Sequence, residues 1–244
     1  MQSLILAAGY ATRLYPLTKK IPKPLLEIGG KTIIDRLISD LDEIDEIDRH
    51  IIVTNAIFLE RFEDWKVHSH YKKEIVIVND GSTNNDNRLG AVRDILFVIE
   101  QLSICDDMLI LAGDNIINFS FNNFVKFALL KGTSCITCHY EPSLSALQKT
   151  GVLETNDDLK VLAMYEKPKM PPSNWAVPPF YFYKAEDLKL ISKALSEGCG
   201  FDAPGNLIAW LCKKTTVYAW KIEGKRYDIG DMESYKNVNK IFSL

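Results

Sequence analysis

The feature that most restricts how this chain can fold is an alternation in its first half. Largely apolar runs at 4–7, 50–53, 74–78 and 108–112 are each the length of a strand. Between them, apolar residues recur at helical spacing: Ile33, Ile34, Leu37, Ile38 and Leu41, then Leu89, Val92, Ile95, Leu96, Ile99 and Leu102. A 3.6-residue period marks one face of a helix, and strands that are apolar throughout have to be covered on both faces. The pattern predicts a doubly wound α/β fold whose mixed sheet is mostly parallel. After a helix at 121–130 come expected strands at 134–140, 151–154, 159–165 and 177–183, readable as an antiparallel extension of the same sheet. Helices are expected at 188–195, 207–211 and 235–242, with a late strand at 216–222. No repeat, low-complexity tract or linker intervenes, so a single domain is expected over 1–244, divided into a 1–130 half and a strand-rich 131–244 half. The acidic stretch 40–48 reads as a solvated face.

A chain of 244 residues, 47% hydrophobic and 25% charged, can bury a sizeable core without disulfides or a structural metal. Its five cysteines are an odd number and are expected as free thiols. Cys135-Ile136-Thr137-Cys138-His139 matches a c-type haem attachment pattern. In a strand, however, Cys135 and Cys138 point to opposite faces, and neither haem nor metal is expected there. Lys+Arg number 29 against 32 Asp+Glu, a net charge of −3, which argues against a nucleic-acid partner. The longest apolar runs fall far short of the roughly 18 residues that span a bilayer. Met1-Gln2-Ser3 leads into the first run without a basic region, so no secretory signal and no membrane partner are expected, and a cytoplasmic protein is.

In an open α/β sheet, ligands bind beyond the carboxyl ends of the strands, so the first strand-to-helix turn is the place to look for chemistry. It reads Leu6-Ala7-Ala8-Gly9-Tyr10-Ala11-Thr12-Arg13-Leu14-Tyr15-Pro16-Leu17-Thr18, followed by Ile21-Pro22-Lys23-Pro24-Leu25-Leu26. Small residues let the backbone approach a phosphate and donate N–H groups to it, and Arg13 and Lys23 add positive charge. That combination suits a nucleoside triphosphate. Gly29-Gly30-Lys31-Thr32 ends like a P-loop, but Leu25 stands where the first glycine belongs; Gly29-Gly30 reads as a turn before a helix. A second carboxyl-end group is Asp114, delivered by the apolar strand Leu109-Ile110-Leu111-Ala112-Gly113.

The first-turn stretch resembles the signature of the sugar-1-phosphate nucleotidyltransferases, or NDP-sugar pyrophosphorylases: L-A-A-G-x-G-T-R-L-x-P-L-T followed by P-K-x-L. Ala11 replaces the second glycine of that pattern, a change of one methyl group. The resemblance extends over residues 4–235. It implies that Leu6, Ala8, Gly9, Tyr10, Ala11, Thr12 and Arg13 bind the nucleotide, with Asn79, Leu89 and Gly90 where the family reads the nucleobase. It implies that Asp114, in the G-D element, binds Mg²⁺ together with Asp228 of Arg226-Tyr227-Asp228-Ile229-Gly230-Asp231-Met232-Glu233-Ser234, similar to the late W-x-D-T-G-T-x-E-S segment. Tyr165-Glu166-Lys167-Pro168 resembles the E-K-P segment. There Glu166 would accept hydrogen bonds from sugar hydroxyls and Lys167 would neutralise the acceptor phosphate, with Gly151 on a neighbouring sugar-contact strand. Residues 176–183 resemble the sugar-side strand A-V-x-G-x-Y-x-Y, but Pro179 replaces its glycine and removes a backbone donor.

The implied protein is a Mg²⁺-dependent enzyme that joins a nucleoside triphosphate to a sugar 1-phosphate. Residues 1–130 would be its nucleotide-binding half and 131–244 its acceptor-binding half, with Arg13 and Lys23 as catalytic groups. The alternatives are a cytidylyltransferase acting on a non-sugar phosphate or phosphonate such as phosphocholine, kept open by Pro179, and a non-catalytic nucleotide-binding module. Retention of Arg13, Lys23, Asp114 and Asp228 together argues against the module. No left-handed β-helix extension, and so no second acyltransferase activity, is expected. The identities of base and acceptor, and self-association into a homo-oligomer, stay open.

Overall fold

The computed structural model describes residues 1–243. The chain begins with β1 (Gln2–Leu6), the hairpin β2 (Glu27–Ile28) and β3 (Lys31–Thr32), α1 (Ile33–Leu41), β4 (Arg49–Thr54), α2 (Leu59–His68) and β5 (Glu74–Asn79). Next come α3 (Ala91–Gln101), β6 (Met108–Ala112), β7 (Asn115–Ile117), α4 (Asn122–Lys131), β8 (Ser134–Tyr140), α5 (Leu144–Leu147), β9 (Gly151–Thr155) and β10 (Val161–Glu166). The remainder is β11 (Trp175–Val177), β12 (Phe180–Tyr183), α6 (Ala185–Leu188), α7 (Ile191–Ser196), α8 (Gly205–Leu211), β13 (Val217–Lys221), β14 (Arg226–Asp228) and α9 (Met232–Phe242). Two compact units interleave along this path: residues 1–88, 112–121 and 224 onward, and residues 89–111 and 122–223. Among the described residues no helix is long and apolar enough to cross a membrane.

In the first unit β4 lies between β1 and β5 and is parallel to both, with Leu4 opposite Ile51 and Ile51 opposite Val76. Leu4, Ile5, Ile51, Ile52 and Val53 have no exposed surface, which is why these strands are apolar on both faces. Thr32 caps α1 by accepting the Asp35 N–H, and Gly29 and Gly30, at φ 56° and 74°, turn the two-residue β2–β3 hairpin. A side chain at position 29 would overlap the Phe242 carbonyl, and the Gly29 N–H donates to Oδ1 of Asn239 at 2.8 Å. The end of α9 therefore docks on the hairpin. Val238 of α9 joins Leu14, Leu26, Ile28, Ile33, Ile116 and Ile229 in one buried cluster.

One expectation changes here, and one helix appears that the sequence did not announce. The acidic stretch 40–48 is not uniformly solvated. Asp42 is buried and accepts the Lys72 and Lys73 N–H groups at 2.7 and 3.0 Å, where the chain enters β5. His50, also buried, places Nε2 3.4 Å from Asp42 Oδ1 and Nδ1 2.7 Å from Ser3 Oγ. The unanticipated helix is α2, which lacks a strong apolar stripe: only Phe62 of it is buried.

The second unit is mainly antiparallel. β12 pairs with β6 and β8, β11 with β8 and β9, and β9 with β10, while β13 runs parallel to β8. The single strand expected at 177–183 is two, β11 and β12, interrupted at Pro178-Pro179. Neither proline has an N–H to give a ladder.

Candidate active site

Lys23, Asp114 and Asp228 converge within the first unit. Gly113 makes this geometry possible: its N–H donates to the Leu6 carbonyl at 2.9 Å, and a Cβ there would meet Ile5 Cγ2 at 2.9 Å and Pro24 Cγ at 3.2 Å. The Asp114 strand end thus lies directly against the Pro-Lys-Pro segment. Lys23, with a side chain only 9% exposed, donates from Nζ to Asp114 Oδ2 at 2.7 Å and stands 4.0 Å from Asp228 Oδ1. Burial pushes the Asp114 carboxyl up, but the Lys23 ammonium, aided by Arg226, outweighs it and holds the group below the usual carboxylate range. Asp228 is set on β14 by the wholly buried Ile229 beside it, and Asp231 then caps α9 by accepting the Ser234 N–H at 2.8 Å.

Asn115 and Arg226, to which the sequence assigns no role, complete the arrangement. Asn115, 1% exposed, donates from Nδ2 to Asp114 Oδ1 at 2.7 Å and accepts from Arg226 Nη1 at 2.8 Å. Asn115 also lies opposite Asp228 in the β7–β14 ladder. A polar residue directly after the G-D pair was the available signal; a three-residue strand gives too little periodicity to reveal its direction.

The loop 8–13 follows β1. The Ala8 carbonyl accepts from Asn55 Nδ2 at 3.0 Å, Gly9 is exposed with open space where a Cβ would project, and Thr12 begins a short 3-10 turn. The Tyr10 side chain turns inward, its hydroxyl 3.1 Å from Ser82 Oγ, so what it offers a ligand is backbone. Ala11 is left-handed, φ 45° and ψ 43°, and its carbonyl accepts from Thr18 Oγ1 at 2.8 Å. Arg13 is exposed. Ser234 is the main cause of a lowered Asp231 carboxyl, and the charge of Arg13 contributes to it, which places the guanidinium near the start of α9. Asn79 ends β5 and accepts the Gly81 N–H at 2.9 Å.

The second unit carries the remaining expected residues. Gly151 lies opposite Glu166 in the β9–β10 ladder. The Glu166 side chain is 20% exposed, and its carboxyl is pushed up by burial against the opposing charge of Lys167, whose Nζ lies 3.9 Å away. Lys167 is left-handed at φ 48° and donates its N–H to Thr150 at 3.1 Å. Pro179 sits in the interruption between β11 and β12; Leu89 is half-buried and Gly90, at φ 88°, buried before α3.

Residues 2–243 match the nucleotidyl transferase family, and the chain belongs to it. Among its relatives, a Sulfolobus acidocaldarius protein provisionally named mannose-1-phosphate guanyltransferase is 31% identical over 242 residues, covering 98% of this chain. A UTP–glucose-1-phosphate uridylyltransferase of Haloferax volcanii is 26% identical over 239 residues, 94% of this chain and 91% of its own length. The chain spans only 62% of the Sulfolobus protein and 60% of a Fervidobacterium nodosum glucose-1-phosphate adenylyltransferase. A solved UDP-glucose pyrophosphorylase in complex with UDP-glucose superposes with a TM-score of 0.84 at 21% identity, over 99% of this chain and 97% of that one. This likeness bears out the mixed, Rossmann-like α/β fold.

Proposed function

We propose that this chain transfers a nucleotidyl group from a nucleoside triphosphate to a sugar 1-phosphate, forming an NDP-sugar and pyrophosphate, with Asp114 and Asp228 holding Mg²⁺. The observation that carries the reading is the nearly buried Lys23 between those two carboxylates. The donor set fits the ion. Two hard oxygen donors already hold one positive charge between them, and Asn115 engages Oδ1 of Asp114 while Oδ2 faces the cation. Mg²⁺ needs few protein ligands and completes its shell with phosphate oxygens and water. When bound it supplies charge neutralisation on the triphosphate.

In the reaction an acceptor phosphate oxygen bonds to the α-phosphorus and the bond to the β-phosphate bridge breaks, releasing pyrophosphate. The attacking oxygen is already anionic, so no residue has to take a proton, and the protein's work is positioning and charge neutralisation. The loop 8–13 presents backbone N–H groups and the Arg13 guanidinium to the triphosphate. Lys23 transfers its ammonium from Asp114 to the pentavalent centre or the leaving group. On the acceptor side Glu166 accepts from sugar hydroxyls, Lys167 neutralises the sugar phosphate, and Gly151 stands opposite Glu166 on the sugar-contact strand. Asn79, Leu89 and Gly90 face the base. The relatives' names include guanyl, adenylyl and uridylyl transfer, so likeness alone selects no base.

The test is pyrophosphate release with Mg²⁺ from ATP, GTP, CTP, UTP and dTTP, each paired with glucose 1-phosphate, mannose 1-phosphate or phosphocholine. Release that depends on a sugar phosphate supports the reading. Release with CTP and phosphocholine alone moves it to a cytidylyltransferase, the reading that a donor-free Pro179 favours. Silence together with no triphosphate binding by calorimetry overturns it.

A further inference from the structure

We propose that residues 199–206 form a strap that positions both the base-facing turn and the acceptor carboxylate, with Phe201 and Gly205 as its positioning residues. The inference rests on the function proposed above, in which Leu89 and Gly90 face the base and Glu166 the sugar. At one end the strap closes on the turn. The carbonyls of Phe201 and Asp202 accept the N–H groups of Val92 and Ala91 at 2.9 and 3.2 Å, so the first donors of α3, which have no partner within the helix, are engaged by protein. A Cβ at Gly90 would lie 2.8 Å from both the Phe201 ring and its carbonyl oxygen and 3.1 Å from Asp202 Cα. The Arg93 guanidinium carbon lies 4.0 Å from the Phe201 ring centre, a cation–π contact that holds the ring in place.

Four residues on, the strap meets Glu166. Gly205 is buried, and a Cβ there would overlap Glu166 Oε2 and lie 2.6 Å from Met164 Cε. A Cβ at Gly151 would lie 3.5 Å from the same Oε2 and 2.5 Å from Met164 Cε. The carboxylate thus lies in a slot between two glycines contributed by different segments: a side chain at 205 would displace it directly, and one at 151 would press on the Met164 side chain that packs beside both. Between its ends the strap is folded on itself: the Asn206 N–H donates to the Ala203 carbonyl at 3.1 Å, and Gly200 packs so closely on the Asn206 amide that a Cβ would lie 2.6 Å from Nδ2. A short, internally bonded segment of this kind holds the Gly90 turn and the Glu166 carboxylate at a set spacing.

The experiment measures kcat and KM for each substrate separately. Gly205→Ala is expected to lower kcat/KM for the acceptor by roughly 10²-fold, the scale of an ångström-level misplacement, with KM for the triphosphate unchanged. In a Glu166→Ala background the same substitution adds nothing further, because it acts through that carboxylate. Phe201→Ala gives the opposite split, raising KM for the triphosphate and leaving the acceptor's, and Phe201→Tyr restores it. Phe201 is 40% exposed, so this arm stands even where Gly205→Ala fails to fold in thermal unfolding. An active wild type in which Gly205→Ala moves both substrates equally or adds to Glu166→Ala, or in which Phe201→Ala leaves triphosphate KM unmoved, overturns the strap and leaves the function standing. A wild type that neither binds triphosphate nor releases pyrophosphate overturns the function and the strap with it.

Discussion

Asn115 stands directly opposite Asp228 across the β7–β14 ladder, while its own amide holds Asp114 at 2.7 Å. One buried amide therefore ties the positions of both carboxylates to a single backbone register. Asn115→Ala leaves Arg226 and Asp114 without that partner and is expected to raise the Mg²⁺ concentration for half-maximal activity by roughly 10–100-fold, the usual effect of losing a group that orients a metal ligand. A Mg²⁺ titration of initial rates, with Mn²⁺ binding as a second readout, checks it. An unchanged requirement would deny Asn115 this role.

Arg13 and Lys23 differ in burial and are expected to differ in what their loss does. Arg13→Ala removes an exposed cation and lowers kcat by roughly 10²–10³-fold, the cost of one preorganised electrostatic group, with little change in Tm. Lys23→Ala removes the charge between two carboxylates, so activity and Tm fall together. Equal Tm losses in the two variants would contradict the structure.

Ala11 holds a left-handed backbone at φ 45° where the family pattern has glycine. That conformation costs a residue with a Cβ roughly 1–2 kcal/mol, partly offset by the extra freedom glycine gives the unfolded chain. Ala11→Gly is expected to stabilise the protein by roughly 0.5–1 kcal/mol, read from the urea midpoint at constant m-value. A lower midpoint would contradict the assignment.

The buried His50 sets an acid limit. Burial holds its imidazole below the ordinary value of 6.5, against the pull of Asp42. The unfolded chain then binds the proton more readily, so stability is lost as pH falls below about 6.5. Asp42 is held low by the Lys72 and Lys73 N–H groups despite its own desolvation, and its contribution disappears at lower pH, as the carboxylate protonates. Urea midpoints at pH 7.5 and 5.5 should fall further for the wild type than for His50→Gln; parallel losses would remove His50 as the cause.

The cysteines should separate by reactivity. Cys105 is exposed, whereas burial pushes Cys135 up to about 11 and Cys138 to about 12. The thiolate is the reactive form, so a disulfide reagent at pH 8 should label Cys105 promptly and Cys135 and Cys138 only on unfolding. Fast labelling of either buried thiol in the folded protein would contradict their packing.

The parts of the site that could be read in the sequence are those where residue type and order both carry information. Gly113-Asp114 and the Pro-Lys-Pro segment stand out in residue order, a carboxylate at an apolar strand's end and a lysine between two prolines, whereas Asp228 is singled out only by the resemblance of the segment around it. Asn115 and Arg226 were hidden because their roles arise from strand register, which a three-residue ladder leaves no pattern to reveal. Asp42 was misread with its acidic neighbours, since charge along the sequence does not report the amides of the Lys72 turn that bury it. The 177–183 strand looked continuous because its apolar residues are, and Pro178-Pro179 broke the ladder without breaking the hydrophobicity. α2 escaped notice because a helix that buries one phenylalanine leaves almost no periodic signal.

The docking of α9 against Gly29 has a consequence for the order in which this site is made. During synthesis Lys23 and Asp114 are both available well before Asp228 exists, and the second carboxylate arrives only when β14 pairs with β7, next to the docked α9. Closing a loop of about 200 residues costs only about 0.6 kcal/mol more than closing one half that length. Until then a nascent chain has Lys23 and Asp114 but not the carboxylate opposite, so the pair of carboxylates about Lys23 is complete only once β14 is in place.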